Sequence, residues 1–284
     1  MSSLTTLWLI LITTLDCNLR CVYCYADGGD VKKYMGKNLA KNFIRGFLNK
    51  PDSPEELIIT FFGGEPTLNF NLMKKIVSFC DSLPVKTKFR IATNGMCGQN
   101  IWKYLIDRNF AIALSMDGAP QINNLSRGRS AGLKEKIRSL SARDINFHIR
   151  STLTETNINY FAEAVEWWAD LGAKLIHFEV VDTRGRAEKN KISPPDNKSL
   201  IQSISNAIEM AEKKKIYLTH SSWMNLKNPS NYFCSSCHGL RICCFLMEKY
   251  PVVLWQLTKM LRQKILLWER WKGMLFNGME TKKY

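Results

Sequence analysis

The sequence predicts an α/β fold on parallel strands, and three observations carry that expectation. Six apolar runs of strand length alternate with amphipathic stretches of helical period. Polar and glycine-rich residues gather just after four of those runs. Apolar residues make up 45% and charged residues 23% of a 284-residue chain, the balance of a protein that buries a real core. In order, strands are expected at Leu7–Thr14, Leu57–Phe62, Lys88–Ala92, Ile112–Met116, Phe147–Thr152 and Leu175–Val181. Helices are expected between them at Asn38–Leu48, Asn71–Cys80, Gln99–Arg108, Gly132–Ala142 and Ile158–Leu171, with a further one at Asn197–Lys214. Such alternation implies right-handed crossovers between parallel strands. An open or partial (β/α)6 barrel satisfies it, and so does a doubly wound sheet. Thr183–Lys198 is polar, carries Pro194 and Pro195, and is expected to be the main linker or loop.

Composition narrows the function classes. The apolar run Leu7–Ile12 is far short of the roughly 20 residues that span a bilayer. No basic segment precedes it, so the expectation is a cytoplasmic protein without a membrane partner. Lys and Arg exceed Asp and Glu by 15, but residues 241–284 alone hold nine of the former against three of the latter. No ordered basic motif stands elsewhere, and no nucleic-acid partner is expected. Nine cysteines without a secretion signal point to metal ligation or redox chemistry.

The polar strand ends are Asp16–Cys24, Gly63–Pro66, Thr93–Gly95 and Ser115–Gly118. In (β/α) folds, strand ends converge on one face where ligands bind, so these four segments predict one site. Its central feature is Cys17, Cys21 and Cys24, a C-x3-C-x2-C array on a loop. Three thiolates so close in sequence can converge on one inorganic centre. Zinc normally takes four ligands as two separated pairs, whereas a [4Fe–4S] cluster held by three cysteines keeps one iron for an exchangeable ligand. Zinc and buried structural thiols stay open on spacing alone.

With Tyr23 as the aromatic before the third cysteine, this array resembles the signature of the radical S-adenosylmethionine (radical SAM) superfamily. Gly63-Gly64-Glu65-Pro66, Thr93-Asn94-Gly95 and Ser115-Met116-Asp117-Gly118 are similar to motifs of its SPASM/twitch-type branch, which modifies peptides and proteins and includes the anaerobic sulfatase-maturating enzymes. Arg150-Ser151-Thr152 and His177-Phe178-Glu179 resemble strands of the same branch. The resemblance implies a partial (β/α)6 TIM-like barrel, a [4Fe–4S] cluster on Cys17, Cys21 and Cys24, and S-adenosylmethionine (AdoMet) on the remaining iron. It implies reductive cleavage of AdoMet to a 5′-deoxyadenosyl radical, a peptide or protein substrate, and a reductant such as flavodoxin or ferredoxin.

For the cofactor, the resemblance implies that the Gly63, Gly64 and Glu65 segment receives the methionyl ammonium, the glycines letting backbone approach closely. Ser115 and Asp117 are expected to bond its carboxylate or ribose, and Arg150 to pair with its carboxylate. Asn94 belongs to the same turn cluster, and Tyr23 is expected near the adenine or beside the cluster. Cys80 and Cys97 are expected as buried or incidental thiols. His148 and His177 are expected as polar groups of the barrel interior, and Trp167-Trp168 as packing. No catalytic base is evident.

Residues 1–215 are expected to form the barrel and 216–284 a small Cys-rich extension of SPASM/twitch type. There Cys234 and Cys237 are candidate ligands of an auxiliary Fe–S cluster. A strand, a Pro-Asp-Gly turn and a further cysteine should follow Cys243, yet Phe245–Tyr250 and a tryptophan-rich tail without cysteine come instead. A slip of coding register near residue 244 would restore the missing pattern, so the extension is expected to be incomplete. The competing functional reading is a non-catalytic Fe–S or zinc-binding protein on the same scaffold, inactive through that loss.

Overall fold

The computed structural model describes residues 6–48 and 54–221, together with the backbone of residues 241–244. The chain runs β1 (Thr6–Thr14), α1 (Lys37–Leu48), β2 (Glu56–Gly63), α2 (Phe70–Asp81), β3 (Lys86–Thr93), α3 (Gln99–Asp107), β4 (Ala111–Ser115), α4 (Pro120–Arg127) and α5 (Leu133–Ala142). It continues through β5 (Phe147–Leu153), α6 (Phe161–Asp170), β6 (Leu175–Val180), α7 (Arg186–Lys189), α8 (Asn197–Lys214), β7 (Tyr217–Thr219) and β8 (Arg241–Cys244). The strands form one sheet in the order β7-β6-β5-β4-β3-β2-β1-β8, and every pairing is parallel. With no reversal of strand order from β1 to β7, the sheet curls as a partial barrel instead of winding both ways. The six expected strands are all present, and two short ones flank them.

Alternation along each strand separates the two faces of the sheet. Leu9, Leu11, Leu57, Ile59, Phe61, Phe89, Ile91, Ile112, Leu114, Ile149, Ile176 and Phe178 are buried in one core with Ile44, Met73, Ile76, Leu105, Ile137 and Trp168 from the helices. Phe61, Phe89 and Phe110 stack at its centre, with ring centroids 5.5–6.4 Å apart. The opposite, inner face is half-buried and polar: Thr60, Arg90, Ser115, His148, Arg150, Thr152, His177 and Glu179 lie on it.

Two elements depart from expectation. Helix α4 carries no apolar stripe, because the face it buries is Asn123, Ser126 and Arg127. The segment expected as a linker, 183–198, contains α7 and packs Ala187 against Tyr23 and Val181 in a second small core. Cys234, Cys237 and the tail from residue 245 lie outside the described residues. Among the described residues, no helix is long and apolar enough to cross a membrane.

Truncating the central ring by Phe61→Ala is expected to destabilise the chain by about 3–5 kcal/mol. Equilibrium urea unfolding checks this, and a loss below about 1 kcal/mol would mean that the ring stack is not the centre of the core.

Candidate functional site at the carboxyl ends of the strands

The loop after β1 begins at Asp16, which is buried and receives the Cys17 N–H at 2.9 Å on Oδ1 and the Tyr34 hydroxyl on Oδ2. The end of β2 is laced to it: the Gly64 N–H reaches the Thr14 carbonyl and the Glu65 N–H the Asp16 carbonyl, both at 2.8 Å. A Cβ on Gly63 would stand 2.2 Å from the Thr14 oxygen, and one on Gly64 2.1 Å from the Asp16 oxygen. The diglycine is therefore demanded by the approach of the chain's own backbone, before any ligand is considered. A Cβ on Gly28 would enter the space between Cys17, Cys24 and Gly64, 3.6 Å from the Cys24 sulfur and 3.7 Å from the Gly64 Cα. The cysteine loop and the diglycine thus share one rim.

All three cysteines of the loop are free thiols. The Leu19 N–H points at the Cys17 sulfur and the Gly28 N–H at the Cys24 sulfur, each at 3.4 Å, while the Asn94 amide lies 3.7 Å from Cys17. Donors of this kind stabilise sulfur that carries negative charge. Burial pushes the Cys17 thiol up to about 11, with the Leu19 N–H opposing the rise. Cys21 is raised by burial as well, against the pull of Arg127 and Arg186. A metal must therefore displace protons to bind. Among the described residues, no three or more His, Cys, Asp or Glu side chains converge tightly enough for a single ion.

Two buried carboxylates organise the rim. Glu65 accepts the Thr67 N–H (3.1 Å), the Thr67 and Thr93 hydroxyls (2.7 and 2.8 Å) and the Asn94 N–H (2.8 Å). Burial raises its pKa, and those donors oppose the rise. Asp117 accepts Arg127 Nε and Nη2 (3.0 and 2.9 Å), the Thr152 N–H (3.0 Å) and the Tyr23 hydroxyl. Burial works against the Arg127 charge, but the Asp117 carboxylate outweighs it and holds the guanidinium above its ordinary value. A carboxylate offers about four acceptor positions: Asp117 has two donors on each oxygen, whereas Glu65 has three on Oε1 and one on Oε2. The side chains of Glu65, Asp117 and Tyr23 thus tie the loops together, a structural role beyond the one expected of them. Tyr23 lies beneath Arg127, 5.5 Å from ring centroid to guanidinium carbon, and not on an open adenine platform.

Of the other expected site residues, Asn94 bridges to Asn18 at 2.9 Å beside Cys17. Ser115 and Arg150 are register partners on the inner face. Cys80 is buried in α2, and Cys97 is half-buried near Lys136.

Sequence reasoning missed the clamp after β6. Arg186 donates from Nε to the Cys21 carbonyl (3.1 Å), from Nη2 to the Gly28 carbonyl (2.8 Å) and from its backbone N–H to the Cys24 carbonyl (3.0 Å). Its Nη1 pairs with Asp30 at 2.8 Å, and the Asn190 amide reaches the Val22 carbonyl at 2.8 Å. Gly185, at φ 63°, leaves room for this, since a Cβ there would meet the Cys24 and Tyr25 oxygens at 2.6 Å. The only signal was Gly-Arg-Ala inside a polar stretch. Two surface cavities, of about 370 Å³ beside Trp102 and Lys136 and about 750 Å³ beside Lys41 and Phe79, lie on the helical side and hold none of these residues.

An open parallel α/β barrel with a three-thiol loop at its strand ends defines the class, and comparison with known proteins agrees. The family model described as the Radical SAM superfamily matches residues 11–168, and the chain belongs to that superfamily of enzymes. An uncharacterized protein of Methanocaldococcus jannaschii is 32% identical over 182 residues, 61% of this chain and 62% of that protein. A cysteine-type anaerobic sulfatase-maturating enzyme of Clostridium perfringens is 26% identical over 57% of this chain and 48% of its own. The sporulation killing factor maturation protein SkfB of Bacillus subtilis is 29% identical over 61% of this chain and 42% of its own. The chain thus spans from about two fifths to three fifths of these relatives. The fold matches native anSMEcpe with bound AdoMet at TM-score 0.63 and 19% identity, covering 78% of this chain and 65% of that one. It matches Streptococcus suis SuiB bound to precursor peptide SuiA, also at 0.63, with 14% identity over 84% of this chain and 57% of that one.

Two outcomes test the site. Asp117→Asn leaves Arg127 buried against a neutral partner and is expected to cost about 3–5 kcal/mol in urea unfolding. In the metal-free chain, iodoacetamide alkylation of Cys17, followed by mass spectrometry, should speed up about tenfold per pH unit from pH 7 to 9. Below a pKa of about 11 the thiolate fraction grows at that rate.

Proposed function

We propose that the chain is a radical SAM enzyme in which Cys17, Cys21 and Cys24 hold three irons of a [4Fe–4S] cluster and AdoMet binds the fourth. The observation that carries this is the free three-thiol loop, with N–H donors on its sulfurs, sharing a rim with the diglycine. When bound, the cluster supplies the electron that splits AdoMet into methionine and a 5′-deoxyadenosyl radical able to take a hydrogen atom from a substrate. The chain's residues bind and orient. Backbone carbonyls of Gly63–Glu65 receive the AdoMet ammonium, and the Arg150 guanidinium and Ser115 hydroxyl hold its carboxylate on the inner face. Asn94 donates toward the Cys17 sulfur. Glu65, Asp117, Tyr23 and Arg186 keep these groups in place.

The substrate we propose is a peptide or protein side chain, supported by relatives named for maturing sulfatases and a killing factor. A flavodoxin- or ferredoxin-type protein would deliver the electron. Residues 1–215 are the catalytic barrel in this reading and 216–284 an incomplete extension, where Cys234 and Cys237 are candidates for an auxiliary cluster.

Anaerobic reconstitution of the full chain with iron and sulfide, then dithionite and AdoMet, should release 5′-deoxyadenosine. Replacing Cys17, Cys21 or Cys24 by Ala should reduce that release to the level of the metal-free chain. Bound iron or zinc without any AdoMet cleavage would instead establish the metal-binding protein.

A further inference from the structure

The inner face of the sheet carries positive charge that cluster and AdoMet binding do not use. Ala92, Ala113 and His148 are register neighbours across β3, β4 and β5. Arg90 stands two residues before Ala92 on its strand, and Arg150 two residues after His148, so all three basic side chains share the inner face. The alanines between them leave space. Arg90 is held by one flat face against the Trp8 ring, 4.6 Å from guanidinium carbon to ring centroid. Trp8 is fixed in turn by its indole N–H on the Thr60 hydroxyl at 2.6 Å.

No carboxylate among the described residues pairs with Arg90 or Arg150. The acid of this face, Glu179, is engaged elsewhere: His177 at 2.9 Å and the Ser221 hydroxyl share one oxygen, and His220 holds the other at 3.1 Å. Burial lowers the pKa of both arginines. Burial first, then Arg150 and Arg90, push His148 down to about 4, so His148 lies within the field of both arginines. The Arg90 and Arg150 nitrogens are not among the buried side-chain atoms left without a partner, so their N–H donors are open to a ligand, and the planar fork of a guanidinium suits a carboxylate.

We propose that Arg90 and His148 form a subsite on the inner face for a carboxylate of the substrate, next to the Arg150 given above to AdoMet. This rests on the proposed function and narrows its substrate to one bearing an acidic group. Arg90 offers a two-pronged donor edge, and neutral His148 a single N–H. The carboxylate can belong to an acidic side chain within a peptide or to a small free acid.

The test measures binding to the full chain, anaerobically reconstituted and supplied with AdoMet. The probes are an acetylated, amidated pentapeptide with central Glu, its Gln counterpart, and free N-acetylglutamate. At least a tenfold preference for the Glu peptide or for N-acetylglutamate over the Gln peptide is expected, and the preferred acid identifies the source. Arg90→Gln should abolish the preference, Arg90→Lys should retain part of it, and His148→Asn should weaken it, each with AdoMet affinity and thermal melting unchanged. Equal binding of all probes, no binding at millimolar concentration, or a preference that survives Arg90→Gln would overturn the subsite. If AdoMet fails to bind the reconstituted wild-type chain, the proposed function itself has failed; intact AdoMet binding without acid preference removes the subsite alone.

Discussion

The geometry of the cysteine loop hangs on one carboxylate that never reaches solvent. Asp117, at the end of β4, gathers Arg127 of α4, the backbone of β5 at Thr152 and the hydroxyl of Tyr23 within the loop. A buried ion pair of this kind adds little net stability over a well-packed apolar substitute, because both charges lose their hydration. What it adds is position. Breaking it leaves an uncompensated charge in the interior, so three segments distant in sequence hold one arrangement or none. Glu65 does the same between β2 and β3. Arg186 then closes the loop from the far side, through the Cys21 and Gly28 carbonyls.

The strands and most helices were legible because their buried residues are apolar and recur at period 2 or 3.6. Helix α4 was not, since Asn123, Ser126 and Arg127 are the residues it buries, and a polar stripe looks like a loop. The 183–198 segment failed for a related reason: one buried Ala187 and a guanidinium spent on carbonyls leave no hydrophobic pattern. Site residues divide likewise. Cys17, Cys21 and Cys24 can be placed on one loop from spacing alone, because only seven residue steps separate the first from the last. Whether the carboxylates of Glu65 and Asp117 turn toward a ligand or into the fold depends on donors from Thr93, Asn94, Arg127 and Thr152. Those donors are far away in sequence and invisible to local pattern.

The two faces of the sheet follow from the same alternation but serve opposite ends. Outward residues are aliphatic and aromatic and meet the helices in one core. Inward residues include Arg90, His148, Arg150, His177 and Glu179, and this face is only half-buried. A closed eight-strand barrel would have to fill its centre with side chains. Here β7 and β8 are the edges of the described sheet, and the interior keeps polar groups of the sort that orient a ligand.

Charge is distributed unevenly over that interior, and the distribution constrains what can bind. AdoMet carries a sulfonium and an ammonium as well as a carboxylate, so a uniformly cationic chamber would repel it. Glu179, kept ionised by its hydrogen bonds from His177, His220 and Ser221, opposes part of that charge at Arg150. On the proposed reading the sulfonium and ammonium lie toward the cysteine rim, where thiolates and backbone carbonyls are the nearest poles. Arg150 would hold the AdoMet carboxylate, so the charges of the site would be divided between the rim and the inner face. Arg90 lies further from the rim, beyond the reach of the same carboxylate, with Trp8 covering one side of its guanidinium. A substrate anion there, on the proposed subsite, would sit deeper on the inner face than the rim, with the rest of the substrate extending from Arg90 toward the strand ends.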